Sequence, residues 1–263
     1  MLQNFITKML IVFFTLGVTS YVDAQSGRIK RKKKKTTEIQ KPKPKPKAKP
    51  KKGAILPYGK VVTKEMKTDE GLFKVHSADN TYLFEVPDTL INREMLMVTR
   101  IAKTANGIGF GGGKTNTQVL RWQRKGKKIL LRVVSHNVVA DTILPVHEAV
   151  VNSNFEPVLF SFPIKAFNKD TTAVVIDATS LFSTDVKPLG FPQFYRSRYK
   201  ISRVDKTRSY IDRVSSYPEN IEVRHVKTYF ASKPPSNGSV GSISVEMSNS
   251  MILLPKVPMK RRY

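Results

Sequence analysis

Cysteine is absent from the 263 residues. Disulfides and a lipidated cysteine anchor are therefore excluded, and stability must come from a hydrophobic core or a bound metal. Histidine is scarce, with four residues at 76, 136, 147 and 225. The hydrolytic zinc motif H-E-x-x-H sets two histidines one helical turn apart, with the Glu as general base. His147-Glu148-Ala149-Val150-Val151 starts that way, but Val151 stands where the second ligand belongs. No G-x-S-x-G occurs, and Asp177, Asp185, Asp205 and Asp212 share no distinctive acid–base spacing. The residues define no catalytic, metal or cofactor site in this chain. Acidic residues are few: 20 Asp and Glu face 46 Lys and Arg, for a formal net charge of +26.

What is present begins at the N terminus. Lys8, the apolar run Met9–Val18 and Val22-Asp23-Ala24 follow the order of a secretory signal peptide over residues 1–24, cleaved before Gln25. The run is short for a membrane span; an uncleaved anchor is the alternative. A secreted, periplasmic or cell-envelope protein with no transmembrane helix after cleavage is expected. Residues 25–66 read as a disordered, Lys/Pro-rich basic linker. Between Arg28 and Lys52 stand 14 Lys and Arg and one acid, so this segment carries half of the net charge. The block Arg31, Lys32, Lys33, Lys34, Lys35 is followed by Lys41, Lys43, Lys45 and Lys47 alternating with proline. Proline removes N–H donors and like charges repel, so an extended, solvated rod is expected. These nine cations are the candidate polyanion site, with an anionic cell-surface polymer as partner; a solvated spacer is the competing reading. No aromatic interrupts them, so base stacking is not served, and secretion argues against a specific nucleic-acid partner.

The folded part, 67–263, is organised around Glu94 to His136. Met95–Ile101, Gln118–Gln123 and Ile129–Val134 are short apolar runs bounded by turn residues, the signature of strands. Gly126 makes the last turn a hairpin. The loop Asn106–Thr117 contains Gly107-Ile108-Gly109-Phe110-Gly111-Gly112, which fits G-x-G-x-x-G, and then Gly113-Lys114-Thr115. Phosphate binding needs a helix after such glycines, whereas Thr117–Trp122 reads as a strand, so a plain connector is expected. Further strands are expected at 71–76, 81–86, 158–166, 173–179, 221–231, 242–247 and 250–254. Short helices are expected at 145–154 and 205–216, where Asp205 can cap. The fold class is mainly β (β-rich α+β): an antiparallel sandwich or strongly bent sheet with one or two short helices. A short module, 67–92, precedes a main module, 93–263.

Several of these runs taken together carry a family resemblance. Gly71-Leu72-Phe73-Lys74-Val75-His76, Tyr82–Asp88, Arg93-Glu94-Met95-Leu96, Thr99–Thr104, Gln118–Trp122, Phe162–Asn168 and Pro218–Arg224 resemble the N-terminal region of secreted bacterial zinc-dependent metallopeptidases of the Bacteroidetes type. In that family a short and a longer domain of unknown function precede a catalytic H-E-x-x-H-x-x-G-x-x-H domain. The resemblance implies a non-catalytic accessory domain, truncated or encoded separately, that packs on a catalytic domain in cis or in trans or presents substrate to it. It implies zinc only in that other domain, since none of its ligands maps onto this chain. The alternative is a free-standing secreted module that binds polyanions or the cell surface through its basic tail.

Overall fold

The structure, a computed structural model, describes residues 54–236 and 238–257. Strands hold 46% of the described residues and helices 16%, so the protein is mainly β. The helix α1 (Tyr58–Val61) leads into β1 (Lys67–Asp69), β2 (Lys74–Ala78) and β3 (Thr81–Pro87). β4 (Glu94–Lys103), β5 (Lys114–Lys125) and β6 (Lys128–Val134) follow, then α2 (Val146–Ser153), β7 (Val158–Phe167) and β8 (Ala173–Asp177). α3 (Thr179–Ser183), α4 (Gln193–Arg198), β9 (Ile201–Val204), β10 (Tyr210–Ser216), β11 (Asn220–Ala231) and β12 (Ser242–Leu253) complete the order. Among the described residues no helix is long and apolar enough to cross a membrane.

All strands join one antiparallel sheet in the order β1-β2-β3-β8-β7-β6-β5-β4-β12-β11-β10, with β9 beside β11. The sheet curls into a half-barrel. Its two edges meet near β2 and β10, where side chains and loop backbone bridge the seam. Ser216 N–H donates to the Asp69 carboxylate at 2.9 Å, Ser216 Oγ donates to Phe73 O at 2.7 Å, and Leu72 N–H donates to Tyr217 O at 2.6 Å. Gly71 permits this approach, because a Cβ there would lie 2.6 Å from the Ser216 carbonyl carbon.

Period-two alternation sorts the side chains. Met95 and Met97 of β4, Leu120 and Trp122 of β5, Leu131 of β6 and Val223 of β11 face one continuous core with Phe84 and Phe162. The concave face is not purely apolar. Thr99, His225, Lys227 and Asn249 also point inward and are buried. The segment after α3 lies over them and supplies acceptors. Pro188 O accepts from Thr99 Oγ1 and Asn116 Nδ2, Leu189 O accepts from Lys227 Nζ at 3.0 Å, and Phe191 O accepts from Arg196 Nε at 2.8 Å. A stretch with no strand partner thereby has these carbonyls satisfied by the sheet below it and by Arg196 of α4, as buried backbone requires.

Four expectations need correction. Residues 205–216 form no helix. Asp205 Oδ1 instead accepts from Thr207 N–H and Oγ1, closing a turn, and Tyr210–Ser216 then pairs with β11. The basic linker does not run to 66. Leu56 N–H donates to Lys165 O, and Tyr58, Val61, Val62 and Met66 cover Leu83, Ala166 and Val175 on the outer face of the sheet. Residues 242–247 and 250–254 are one strand, β12, which pairs unbroken with β11 from Ser242 to Ile252. The sheet also crosses the division placed at residues 92 and 93, since β4 and β3 belong to it alike.

Candidate functional site

The outer face of β5 and β6 carries Arg121, Gln123 and Arg132, the positions that alternate with Leu120, Trp122 and Leu131. Arg121 and Arg132 are direct cross-strand partners. Like charges placed opposite each other are destabilising, so something must neutralise them. Glu156 does so from the segment joining α2 to β7. Its carboxylate accepts from Arg121, and its backbone carbonyl accepts from Arg132 Nη1. Arg132 Nε donates to Gln123 Oε1 at 2.7 Å, and the guanidinium carbon lies 4.9 Å from the Phe155 ring centre. The excursion 135–157 is thus pinned to the sheet by an ion pair and a cation–π contact.

Between the excursion and the sheet lies a cavity of about 380 Å³, walled by Arg121, Arg132, His147, Val138, Val150 and Val151 among others. Its size and mixed lining match those of small-ligand pockets. His147 Nδ1 lies 3.2 Å from Ala140 O; a carbonyl only accepts, so this nitrogen carries a proton. α2 buries none of its residues. Eight of the fourteen large apolar side chains that stand exposed among the described residues fall between Val138 and Val158, with Ile143 at 83% and Phe155 at 78% exposure. Scattered exposed apolar residues are ordinary; a concentration in one excursion marks an interaction surface.

Two other polar clusters are structural in their geometry. Thr68 Oγ1 lies 2.8 Å from His76 Nδ1, and His76 Nε2 lies 3.1 Å from Glu85 Oε2. That order of hydroxyl, imidazole and carboxylate is shared with nucleophilic triads. Here Tyr58 also donates to Glu85 Oε2, at 2.7 Å, so the row clasps the segment 55–66 to the sheet. The His76 contact leads the effects holding the Glu85 carboxyl below its usual pKa, and burial leads those raising Tyr58. The second cluster is inside the half-barrel. Burial drives the Lys227 pKa down to about 7 and that of His225 down to about 3. His225 Nε2 meets the Asn249 amide oxygen, while its buried Nδ1 has no partner.

The nine cations of the tail, Arg31 to Lys35, Lys41, Lys43, Lys45 and Lys47, lie outside the described residues. The glycine loop leads into β5 and not into a helix, as its connector reading requires. Gly112 N–H donates to Ile101 O, and a Cβ on Gly111 would fall 2.3 Å from Ala102 O, so the loop folds back on β4. His147, read as a broken zinc motif, lines the cavity. Sequence reasoning missed Arg121, Arg132 and Glu156. The only available signal was that Arg121 and Arg132 lie four residues outside Lys125 and Lys128, which flank the Gly126-Lys127 turn and so put the two arginines opposite each other. Lys227 falls in the same alternating row of β11 as Ile221 and Val223, and it is buried with them.

The fold defines a class first: a mainly-β half-barrel whose candidate site lies on the outer face of the sheet, under the excursion between β6 and β7. The chain belongs to the family described as Domain of unknown function (DUF5117), whose model matches residues 112–263. Residues 55–104 match a second model, Domain of unknown function (DUF5118). The two matches meet across the glycine loop, and a short domain does precede a longer one. No curated protein and no solved structure matches the chain.

Proposed function

We propose that this chain is the non-catalytic accessory part of a secreted zinc-dependent metallopeptidase-like protein, and that a catalytic domain docks on the excursion 135–158. The observation that carries this reading is the unpartnered apolar surface of α2 and its flanks. It stands on a rigid sheet through Glu156, so docking would not require ordering a loose loop. The pair of adjoining domains of unknown function supports the reading, because the same arrangement precedes the catalytic domain in the family that the motifs resemble.

The test is sedimentation velocity of the whole chain with a separately produced H-E-x-x-H catalytic domain of that family. A complex at micromolar concentration is expected, weakened at least about tenfold by Ile143→Asp or Val146→Asp, which put a charge into the apolar contact. Absence of a complex, or one indifferent to both changes, refutes the assignment. A second reading rests on charge. The hairpin tip Arg124-Lys125-Gly126-Lys127-Lys128 is exposed throughout and adds to the basic tail. A polyanion-binding module would bind heparin with a steep salt dependence that replacing Arg31–Lys35 by serine reduces.

A further inference from the structure

The structure assigns the cavity beneath α2 a ligand: we infer that it binds the C-terminal carboxylate of a peptide ending in a branched apolar residue. The inference deepens the accessory reading, since such a site would hold a substrate or product end beside a peptidase. A guanidinium offers five N–H groups in a planar fork that matches a carboxylate. Arg121 spends one nitrogen on Glu156, and Arg132 spends two, on Gln123 and the Glu156 carbonyl. Donors of both arginines remain on the cavity wall, and one carboxylate faces two guanidinium groups there. The other nearby acid on this face, Glu94, is engaged by His136 Nε2 at 3.0 Å.

The lining also includes Val138, Val139, Val150 and Val151, contributed by the excursion. A polar end built from arginines and an apolar end built from valines select a ligand with a carboxylate next to a small aliphatic group. The volume of about 380 Å³ admits one or two residues and not a folded domain. His147 and Asn154 also line the cavity; with His147 Nδ1 on Ala140 O and Asn154 Nδ2 on Val150 O, the His147 Nε2 and Asn154 Oδ1 atoms are left to meet the last peptide group.

Isothermal titration of the whole chain with N-acetyl-valyl-leucine, its C-terminal amide and decanoate tests this. The dipeptide acid should bind and the amide should bind at least about tenfold more weakly, because hydrogen bonds to a charged group are lost. Arg132→Gln should abolish the preference for the acid, and Arg132→Lys should restore part of it; circular dichroism establishes that each variant is folded. No binding of the acid, equal binding of acid and amide, or tighter binding of decanoate overturns the proposal. Ile143→Asp, on the exposed side of the excursion, should leave peptide binding intact while impairing docking, so the two ideas fail separately.

Discussion

Single buried residues set the pH response of this molecule. Lys227 has no exposed surface and one hydrogen bond, to Leu189 O. Burial holds its folded pKa at about 7, far below the usual value of 10.5. Between those values the unfolded chain binds a proton that the folded chain does not. Stability must then rise with pH across that window, by up to about 1.4 kcal/mol per pH unit for this one group. His225, at about 3, acts with the same sign but only below its ordinary value of 6.5. Tyr229, raised to about 12 mainly by burial, and Tyr58, also raised, act oppositely above pH 10. Urea denaturation at intervals from pH 7 to 10 should therefore show rising stability. Lys227→Met should flatten that rise; a slope unchanged by the substitution would mean the amine is not held neutral in the fold.

At the scale of elements, legibility followed periodicity. β4, β5 and β6 could be read because each contains a short apolar run bounded by turn residues. Residues 205–216 could not, because Asp205 accepts from an N–H two residues on whether a helix or a turn follows. Tyr210, Asp212 and Val214 also alternate too weakly on this edge strand to betray a period of two. The cavity was illegible for another reason: Glu156 lies 35 residues from Arg121, and no local pattern encodes that meeting. The seam is equally non-local. Gly71 lies against the backbone of Ser216 and Tyr217, so Gly71→Ala should push β2 and β10 apart at a cost of roughly 1–3 kcal/mol, the usual range for overpacking. Gly113 has open space where a Cβ would stand, with nothing within 4 Å, and should tolerate alanine. Thermal melts of both variants, with hydrogen exchange along 210–216, compare them; equal melting temperatures would refute the seam as a tight contact.

For the molecule as a whole, the disposition of histidines governs whether it can act alone as a metallopeptidase. A catalytic zinc needs about three protein ligands and an open position for water. The four histidines are dispersed over separate parts of the fold, each with its own partner. His76 sits between Thr68 and Glu85, His136 meets Glu94, His147 meets Ala140 O, and His225 meets Asn249 inside the half-barrel. Among the described residues no three metal-binding side chains converge. Gathering them would require breaking the sheet that separates them, because His225 lies on its concave face and His147 on the excursion outside it. Two results are therefore expected of the purified chain. Zinc at a slight excess should leave its melting temperature unchanged, since a ligand held a hundredfold above its dissociation constant would add roughly 2.7 kcal/mol. Unfolded casein should survive incubation with it, with and without zinc, and be cut only when the catalytic domain proposed to dock on the excursion is added. Stoichiometric zinc in the purified protein, with casein cleavage that a chelator stops and His147→Ala removes, would show instead that the cavity under α2 is an active site and not a docking and peptide-holding surface.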